Sequence, residues 1–302
     1  MSIPLALRAM LIYNRKKGGD VVMTEPMKMN IFDSVDNNHE ASKDLPVISK
    51  DASDQDMLDY MVLVLSRQMT CAAAFKGGYM LNQLLGKASR YTRDIDFSIS
   101  EEENYKDVKS ILTKIAEKFL EIGLIAEYKV KETIAPKQSG GIDFYDATGA
   151  KTLGVDVGLH NISYGVQHYH LAFAEIEAFT IERMLSDKLI AILTRKRFRR
   201  TKDLYDFYAI TQFFDVDLKK LYELITIRGG AEWQNIPFNP TVIEQYQHAW
   251  DKLDLRAFGG SGAIAKPDFD VALDRFYEIA LTLKDGNASY KWEHENERLL
   301  QI

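Results

Sequence analysis

The sequence is poor in cysteine, with Cys71 as the single one among 302 residues. One cysteine cannot form an intramolecular disulfide framework, and it excludes a zinc site built on several cysteines. Long apolar runs are lacking too, because no stretch approaches the ~20 residues that span a bilayer. Residues 3–13 are mostly apolar, but basic residues follow them, the reverse of the order in a signal peptide. These absences predict a cytoplasmic protein without a membrane partner.

An excess of positive charge is also lacking, since the formal net charge is -6. The chain as a whole therefore does not complement the negative charge of nucleic acid, although a local basic patch can still do so. Hydrophobic residues make up 46% of the chain, enough for the core of one large domain or two modest ones.

Hydrophobic periodicity divides the chain into three parts: a polar arm or linker (1–55), a mixed α/β domain (56–178) and an α-helical domain (179–302). This order predicts an α+β fold. Helices are predicted at about 56–68, 79–85, 101–122, 181–197, 202–213, 217–227, 241–254 and 268–284. Strands are predicted at about 71–75, 95–99, 142–145, 153–159 and 169–173.

Two adjacent glycines, Gly77 and Gly78, stand between a predicted strand and a predicted helix. The first backbone N–H groups of a helix have no partner in the helix, and glycine lets a phosphate chain approach them closely. Lys76 directly before them adds a positive charge. The segment is either a phosphate-binding turn or only a tight turn.

Two carboxylates, Asp94 and Asp96, alternate with the apolar residues Ile95 and Phe97. Residues i and i+2 of a strand point to the same face, so the carboxylates stand side by side. Like charges held together need a cation, and Mg²⁺ shared with substrate phosphates is one that oxygen ligands favour. The alternatives are a solvated strand end or pairing with Arg93.

A third carboxylate is expected on a neighbouring strand, and the sequence offers two candidates. Asp156 is isolated in an apolar strand, where a carboxylate is unfavourable without a partner. Gly154 and Gly158 leave room around it, which favours Asp156 over its rival, Asp143.

Together these residues resemble the nucleotidyltransferase superfamily, in which a Gly-Gly or Gly-Ser turn precedes an Asp-x-Asp strand and a third acidic strand. Two departures are Gly78 in place of serine and a long gap from Gly78 to Asp94. Both suit one branch, the AbiEii/AbiGii toxins of abortive-infection and toxin–antitoxin systems, which residues 56–212 resemble. The runs that carry this resemblance are FKGGYML (75–81), RDIDFSI (93–99), DKLIAILTR (187–195) and KDLYDFY (202–208).

The resemblance implies a nucleotidyltransferase-like mixed β-sheet core with flanking helices, followed by an α-helical half. It implies Mg²⁺ or Mn²⁺ held by Asp94, Asp96 and Asp156, with an NTP, GTP or CTP by preference, as substrate. It further implies a separately encoded antitoxin and, in some relatives, transfer to the acceptor end of tRNA. Other relatives are described mainly as GTP binders.

The later motifs add basic and acidic side chains to this site. Lys188, Ile192 and Arg195 share one helix face, from which the two cations reach a triphosphate or are merely solvated. Asp203 and Asp206 form an acidic pair that orients Lys188, holds a metal or acts as a base. Capping or ion pairing is an equal alternative for Asp203. The expected catalytic residues are Asp94, Asp96, Asp156, Lys188 and Asp206, and the expected nucleotide-binding residues are Lys76, Gly77, Gly78, Lys188, Arg195 and Asp203.

Residues 195–200 hold five basic side chains and Phe198, a composition that suits a phosphodiester backbone and a stacked base. The sequence thus predicts a metal-dependent nucleotidyltransferase toxin acting on tRNA or another RNA. The alternatives are an NTP-binding or antitoxin-binding protein without transferase activity, and a transferase acting on a small molecule.

Overall fold

A computed structural model describes residues 45–100, 104–132, 140–194, 201–229, 240–253, 255, 266–286 and 289–301. All of these residues belong to one compact unit, residues 32–302. The predicted arm lies outside the described residues up to position 44, and the domain boundaries stay a prediction. In the described part of the chain, no helix combines the length and the apolar character needed to cross a bilayer.

The described residues form eight α-helices and ten strands. The helices are α1 (Asp54–Gln68), α2 (Gly77–Leu85), α3 (Tyr105–Glu121), α4 (Ile181–Thr194), α5 (Thr201–Phe213), α6 (Leu218–Gly229), α7 (Pro240–Asp251) and α8 (Phe269–Lys284). The strands are β1 (Ala73–Lys76), β2 (Asp94–Ile99), β3 (Glu127–Lys131), β4 (Gly140–Tyr145), β5 (Lys151–Leu159), β6 (Val166–His170), β7 (Glu175–Phe179), β8 (Val216–Asp217), β9 (Tyr290–Glu293) and β10 (Arg298–Gln301). The predicted α+β class is confirmed.

Seven strands form one mixed sheet in the order β3-β4-β5-β2-β1-β7-β6. Strand β2 pairs parallel to β5 and antiparallel to β1, while β1 pairs parallel to β7. Strands β1, β2 and β5 therefore lie side by side near the centre of the sheet, with Lys76, Asp96 and Asp156 aligned across them. A second, three-stranded sheet has the order β10-β9-β8.

The core lies beneath the sheet face opposite the acidic residues of β2. Ile95 and Phe97 are fully buried, and the Phe97 ring lies 5.3 Å from that of Phe75 on β1. Helices α1 and α3 cover this layer, where the Phe119 ring contacts Tyr60 at 5.5 Å. The alternation of buried and acidic residues along β2 thus turns the carboxylates away from the core.

The predicted and observed elements differ in several places, among them β3 and β7, for which no strand bounds were predicted. The predicted strand 169–173 is wrong, because β6 ends at His170 and β7 begins at Glu175; Leu171 N–H donates to Ala174 O in the connection between them. Helix α2 begins at Gly77 itself, two residues earlier than predicted. Strands β8, β9 and β10 were not predicted, since each has four residues or fewer and short strands carry little periodicity.

Two tryptophans, Trp250 and Trp292, are packed in the helical half. Trp292 on β9 is fully buried, and its Nε1 donates to Thr211 O at 2.6 Å. The Arg275 guanidinium lies 4.6 Å from the same ring, within range of a cation–π contact. Trp250 is also buried, whereas Trp233 lies outside the described residues. The C-terminal hairpin therefore supplies part of the core of the helical half.

A buried acid under the sheet predicts a pH-dependent stability. Asp59 Oδ1 accepts hydrogen bonds from Tyr79 and Gln55, each at 2.7 Å, while burial raises the pKa of Asp59 to about 6. The folded state then binds a proton that the unfolded state has lost above pH ~4, so stability falls as pH rises from about 4 to about 6. The difference between the folded and unfolded pKa of Asp59 corresponds to at most about 3 kcal/mol of stability.

We expect Asp59→Asn to remove this decline, because the amide oxygen still accepts from Tyr79 and carries no charge. Urea unfolding at about pH 4.5 and about pH 7.5 measures the free energy of unfolding of both proteins. The gap between variant and wild type should widen at the higher pH. The exposed Asp251→Asn is the control, and equal pH slopes for wild type and Asp59→Asn would refute the assignment.

Candidate active site

Three carboxylates, at the start of β2 and in the middle of β5, line one cavity. In the parallel β2–β5 pairing, Asp96 lies directly opposite Asp156, and Asp94 lies opposite Gly154. A Cβ on Gly154 would stand 2.7 Å from Asp94 Oδ1, so glycine there makes room for Asp94 and not, as predicted, for Asp156. All three carboxylates contribute to the wall of the same cavity.

The Gly77-Gly78 turn closes against the central carboxylate. Gly77 has φ +73°, and a Cβ on it would stand 2.3 Å from Asp96 Oδ2. Only glycine fits both this backbone conformation and this close approach. Helix α2 begins at Gly77, so its N-terminal N–H groups lie beside the Asp96 carboxylate. This arrangement places a candidate phosphate-binding helix end next to a candidate metal site.

Two lysines that were not predicted hold the outer carboxylates. Lys131 Nζ lies 2.6 Å from Asp156 Oδ1 and 3.0 Å from Asp143 Oδ1. Lys151 Nζ lies 3.0 Å from Asp94 Oδ1 and 2.8 Å from Asp143 Oδ1. Asp143, the rival third carboxylate, therefore binds both ammonium groups, one strand further from Asp96 than Asp156. The predicted alternative partner Arg93 is exposed and stacks on the Tyr91 ring at 5.8 Å.

The central carboxylate, Asp96, has a raised pKa. Burial raises the pKa of Asp96 to about 6, Lys76 opposes this shift, and the charges of Asp156 and Asp94 add to it. A folded-state pKa above the ordinary value means that the site destabilises the charged form relative to the same group in water. A cation at this point would relieve that unfavourable energy.

A second charged cluster joins the helical half to the loop before β2. Lys188 Nζ lies 2.9 Å from Asp203 Oδ1 and 2.6 Å from Asp206 Oδ2. The Arg90 guanidinium donates to both oxygens of Asp206, from Nε at 2.8 Å and from Nη2 at 2.9 Å. Burial alone would raise the pKa of Asp206, but Arg90 and Lys188 outweigh it and hold that pKa at about 2.

The sequence left three roles open for Asp203 and Asp206, and this geometry favours one of them for Asp206. Both oxygens of Asp206 are occupied by cations of the chain, which favours orientation of Lys188 over metal binding or proton transfer. Lys188 is almost fully buried, yet the charges of Asp206 and Asp203 raise its pKa despite the burial. Its ammonium therefore stays protonated, and Lys188 lines the cavity.

The cavity lining carries further cations. Burial lowers the pKa of Lys76, and Asp187 and Asp96 offset this only in part. Arg228 also lines the cavity, and its Nε lies 2.6 Å from Asp187 Oδ1. The cavity has a volume of about 510 Å³, within the range of small-molecule and cofactor sites.

Most of the predicted site residues meet in this cavity. Those that line it are Lys76, Gly77, Gly78, Asp94, Asp96, Asp156, Lys188 and Asp203. Asp206 contacts Lys188. Arg195 and the basic cluster 195–200 lie outside the described residues. The sequence reasoning missed Arg90 along with Lys131 and Lys151. A basic residue four positions before the Asp-x-Asp pair was the available signal for Arg90.

The close approach of Gly77 to Asp96 predicts that a side chain at position 77 weakens NTP binding. A second glycine, Gly149, provides the control. We expect Gly77→Ala to reduce NTP binding by about a hundredfold, because its methyl group displaces the Asp96 carboxylate. Gly149 in the β4–β5 turn has φ +79° and open space where its Cβ would stand. Gly149→Ala therefore carries the same backbone strain without the clash, and calorimetric titration with NTP should show near wild-type affinity. Equal losses in both variants would assign the effect to the backbone strain alone.

Comparison with known proteins agrees with the geometry. The family model described as nucleotidyl transferase AbiEii toxin, type IV TA system, matches residues 63–275. No curated protein matches the chain. Among solved structures, JHP933 from Helicobacter pylori is similar at 14% identity, covering 77% of this chain and 91% of its own, with a TM-score of 0.45.

MenT4, a nucleotidyltransferase toxin from Mycobacterium tuberculosis H37Rv, is similar at 15% identity and a TM-score of 0.41, covering 78% of this chain and 87% of its own. The family match includes both the carboxylates of β2 and β5 and the Lys188 cluster of the helical half. On that match over most of its length, this chain belongs to the AbiEii family of nucleotidyltransferase toxins from type IV toxin–antitoxin systems.

Proposed function

We propose that the protein transfers a nucleotide from an NTP to tRNA and that a divalent metal ion is required. The observation that carries this proposal is the in-register pair Asp96–Asp156, with Asp94 beside it and the Gly77 turn against it. A phosphate-binding helix end, an acidic triad and a buried lysine in one cavity are the elements that phosphoryl chemistry needs.

The three carboxylates fit Mg²⁺ or Mn²⁺. They form an all-oxygen donor set on adjacent strands, which hard divalent cations prefer. Two of them already face a positive charge, because Lys131 Nζ contacts Asp156 and Lys151 Nζ contacts Asp94. A metal ion bound there would stabilise the negative charge that develops on the oxygens of the transferred phosphoryl group.

Backbone and side-chain groups of the cavity bind the phosphates of the NTP. The N–H groups at the start of α2 donate to the phosphate oxygens, and the Lys76 and Lys188 ammonium groups add positive charge. Asp203 and Asp206 keep Lys188 in place, so its side chain loses little freedom when the nucleotide binds. We assign Arg195 to nucleotide binding as well, and GTP or CTP is the preferred substrate.

The reaction is a displacement at the α-phosphorus of the NTP. A hydroxyl oxygen of the acceptor forms the new P–O bond, the bond to the bridging oxygen breaks, and pyrophosphate leaves with its electron pair. The hydroxyl proton passes to solvent or to a carboxylate of the triad. The basic cluster 195–200 would hold the phosphodiester backbone of the acceptor, and a separately encoded antitoxin would neutralise the toxin.

The test is to incubate the purified protein with Mg²⁺, each labelled NTP in turn and total bacterial tRNA, and to resolve the RNA on a denaturing gel. Label from one NTP should appear on tRNA, and it should be lost in Asp96→Ala and on chelation of the metal. Charge reversal at residues 195–200 should reduce labelling of tRNA, whereas a small-molecule acceptor would leave activity intact.

The same assay distinguishes the alternatives. NTP binding by calorimetry without any labelled product would indicate a nucleotide-binding or antitoxin-binding toxin that has lost transfer. Label on a small molecule but not on RNA would indicate a transferase of another acceptor class. Label on tRNA that persists in Asp96→Ala would contradict the proposed metal site.

A further inference from the structure

Two histidines and a glutamate form an exposed cluster on the outermost hairpin of the large sheet. His168 and His170 lie on the edge strand β6, and Glu175 begins β7. In the antiparallel pairing, His170 lies opposite Glu175. The residues at positions 168 and 170 share one face because they are i and i+2 on a strand. The cluster is therefore built by the register of the hairpin and not by chance contact of loops.

The donor atoms of this cluster converge. Glu175 presents one carboxylate oxygen to each histidine, Oε1 at 3.1 Å from His170 Nδ1 and Oε2 at 3.5 Å from His168 Nε2. One donor atom from each of the three side chains lies within 4.8 Å of the other two. Tetrahedral Zn²⁺ with bonds of 2.0–2.1 Å separates its ligand atoms by about 3.3 Å. With Oε1 of Glu175 as the ligand atom, the separation from His170 Nδ1 already matches. The three donor atoms lie within 4.8 Å of one another, so rotation of the exposed side chains brings the other separations into range.

We propose that His168, His170 and Glu175 form a second metal site, selective for a transition metal such as Zn²⁺. Imidazole nitrogen favours zinc, nickel and copper over magnesium, whereas the acidic triad offers oxygen alone. The two sites also differ in place, because β1 and β7 lie between β2 and β6 in the sheet. This proposal stands apart from the proposed function, since neither the triad nor the nucleotide takes part in it.

A metal ion at this site would stabilise the edge of the sheet at β6. Among the described strands, β6 is the last of the sheet and pairs with β7 alone, and an ion across the hairpin adds a link between these two strands next to their connection. Strand β7 leads through Thr180 directly into α4, which carries Lys188. Ligands that bind the folded state alone stabilise it by mass action, so zinc should raise the melting temperature of the protein.

The test is calorimetric titration of the tag-free protein with Zn²⁺ in the presence of saturating Mg²⁺, so that the acidic triad is occupied. We expect one zinc ion per chain. His168→Ala and His170→Ala should each weaken its binding about tenfold or more, with loss of the zinc-dependent rise in melting temperature. His248→Ala is the matched control, because His248 also carries an imidazole but lies on α7, away from the hairpin.

The outcomes decide the proposal without reference to activity. Zinc affinity that survives in the double variant His168→Ala/His170→Ala would overturn it, and so would a wild-type protein that binds no zinc. A loss in His248→Ala as large as in His170→Ala would place the ion elsewhere and overturn it too. Loss confined to the cluster, with tRNA labelling by the same variants in Mg²⁺ unchanged, would support a site separate from catalysis.

Discussion

Asp96→Asn is expected to reduce nucleotidyl transfer by about a thousandfold or more, the equivalent of roughly 4 kcal/mol of transition-state stabilisation. The amide keeps the shape of the side chain but cannot supply the negative charge that holds a divalent cation. Folding should not suffer, because burial raises the pKa of Asp96 to about 6 and a neutral amide relieves that unfavourable charge. Initial rates of tRNA labelling and thermal melts of the same preparations measure the two effects separately.

Asp143→Asn is the matched control for this prediction. Asp143 lies on the same face of the sheet, but it contacts Lys131 and Lys151, and the residue opposite it on β5 is Gly154. We expect transfer to stay within about tenfold of wild type, whereas Asp156→Asn should resemble Asp96→Asn. The reverse ranking of Asp143→Asn and Asp156→Asn would move the third metal ligand to Asp143.

Arg90→Met is expected to lower the free energy of unfolding by about 3–5 kcal/mol, the usual effect of removing one partner from a buried ion pair. Asp206 would keep Lys188 as a partner but would lose the two hydrogen bonds from the guanidinium. Lys188 would then be drawn toward Asp206 and away from the nucleotide, so we also expect a higher KM for NTP. Urea unfolding and steady-state labelling measure these two quantities.

Arg90→Lys keeps the charge and tests the geometry, because one ammonium cannot reproduce the two-point contact of a guanidinium. It should fold, yet it should restore neither the full stability nor the wild-type KM. Lys109→Met, which removes an exposed ion pair with Glu132, should change stability little. If Arg90→Lys behaves as wild type, a point charge is sufficient and the bidentate contact has no role.

The parts of the site that local sequence could predict are those set by strand periodicity and by turn chemistry. Asp94 and Asp96 follow from their i, i+2 spacing, and the Gly77 turn follows from glycines at a strand–helix junction. Asp156 follows from the energetic penalty of an isolated acid in an apolar strand. Each of these inferences needs only residues close together in the chain.

The rest depends on register between distant segments. Lys131 reaches Asp156 across 25 positions of sequence, and Arg90 reaches Asp206 across 116. No pattern in one window shows which cation meets which acid once β3, β4 and β5 are aligned. The short strands β8 to β10 were not predicted for a related reason. They are defined by a shared core around Trp292 and not by their own periodicity.

The burial of Trp292 changes how loss-of-function genetics on this toxin should be interpreted. Nonsense and frameshift mutations in codons 290–292 remove the β9–β10 hairpin, and with it the ring that contacts Thr211 and Arg275. In a selection for cells that survive toxin expression, such alleles should arise beside those of the acidic triad. Their clustering in the codons of this hairpin would report a folding requirement, and it would be a mistake to map a second functional surface from it.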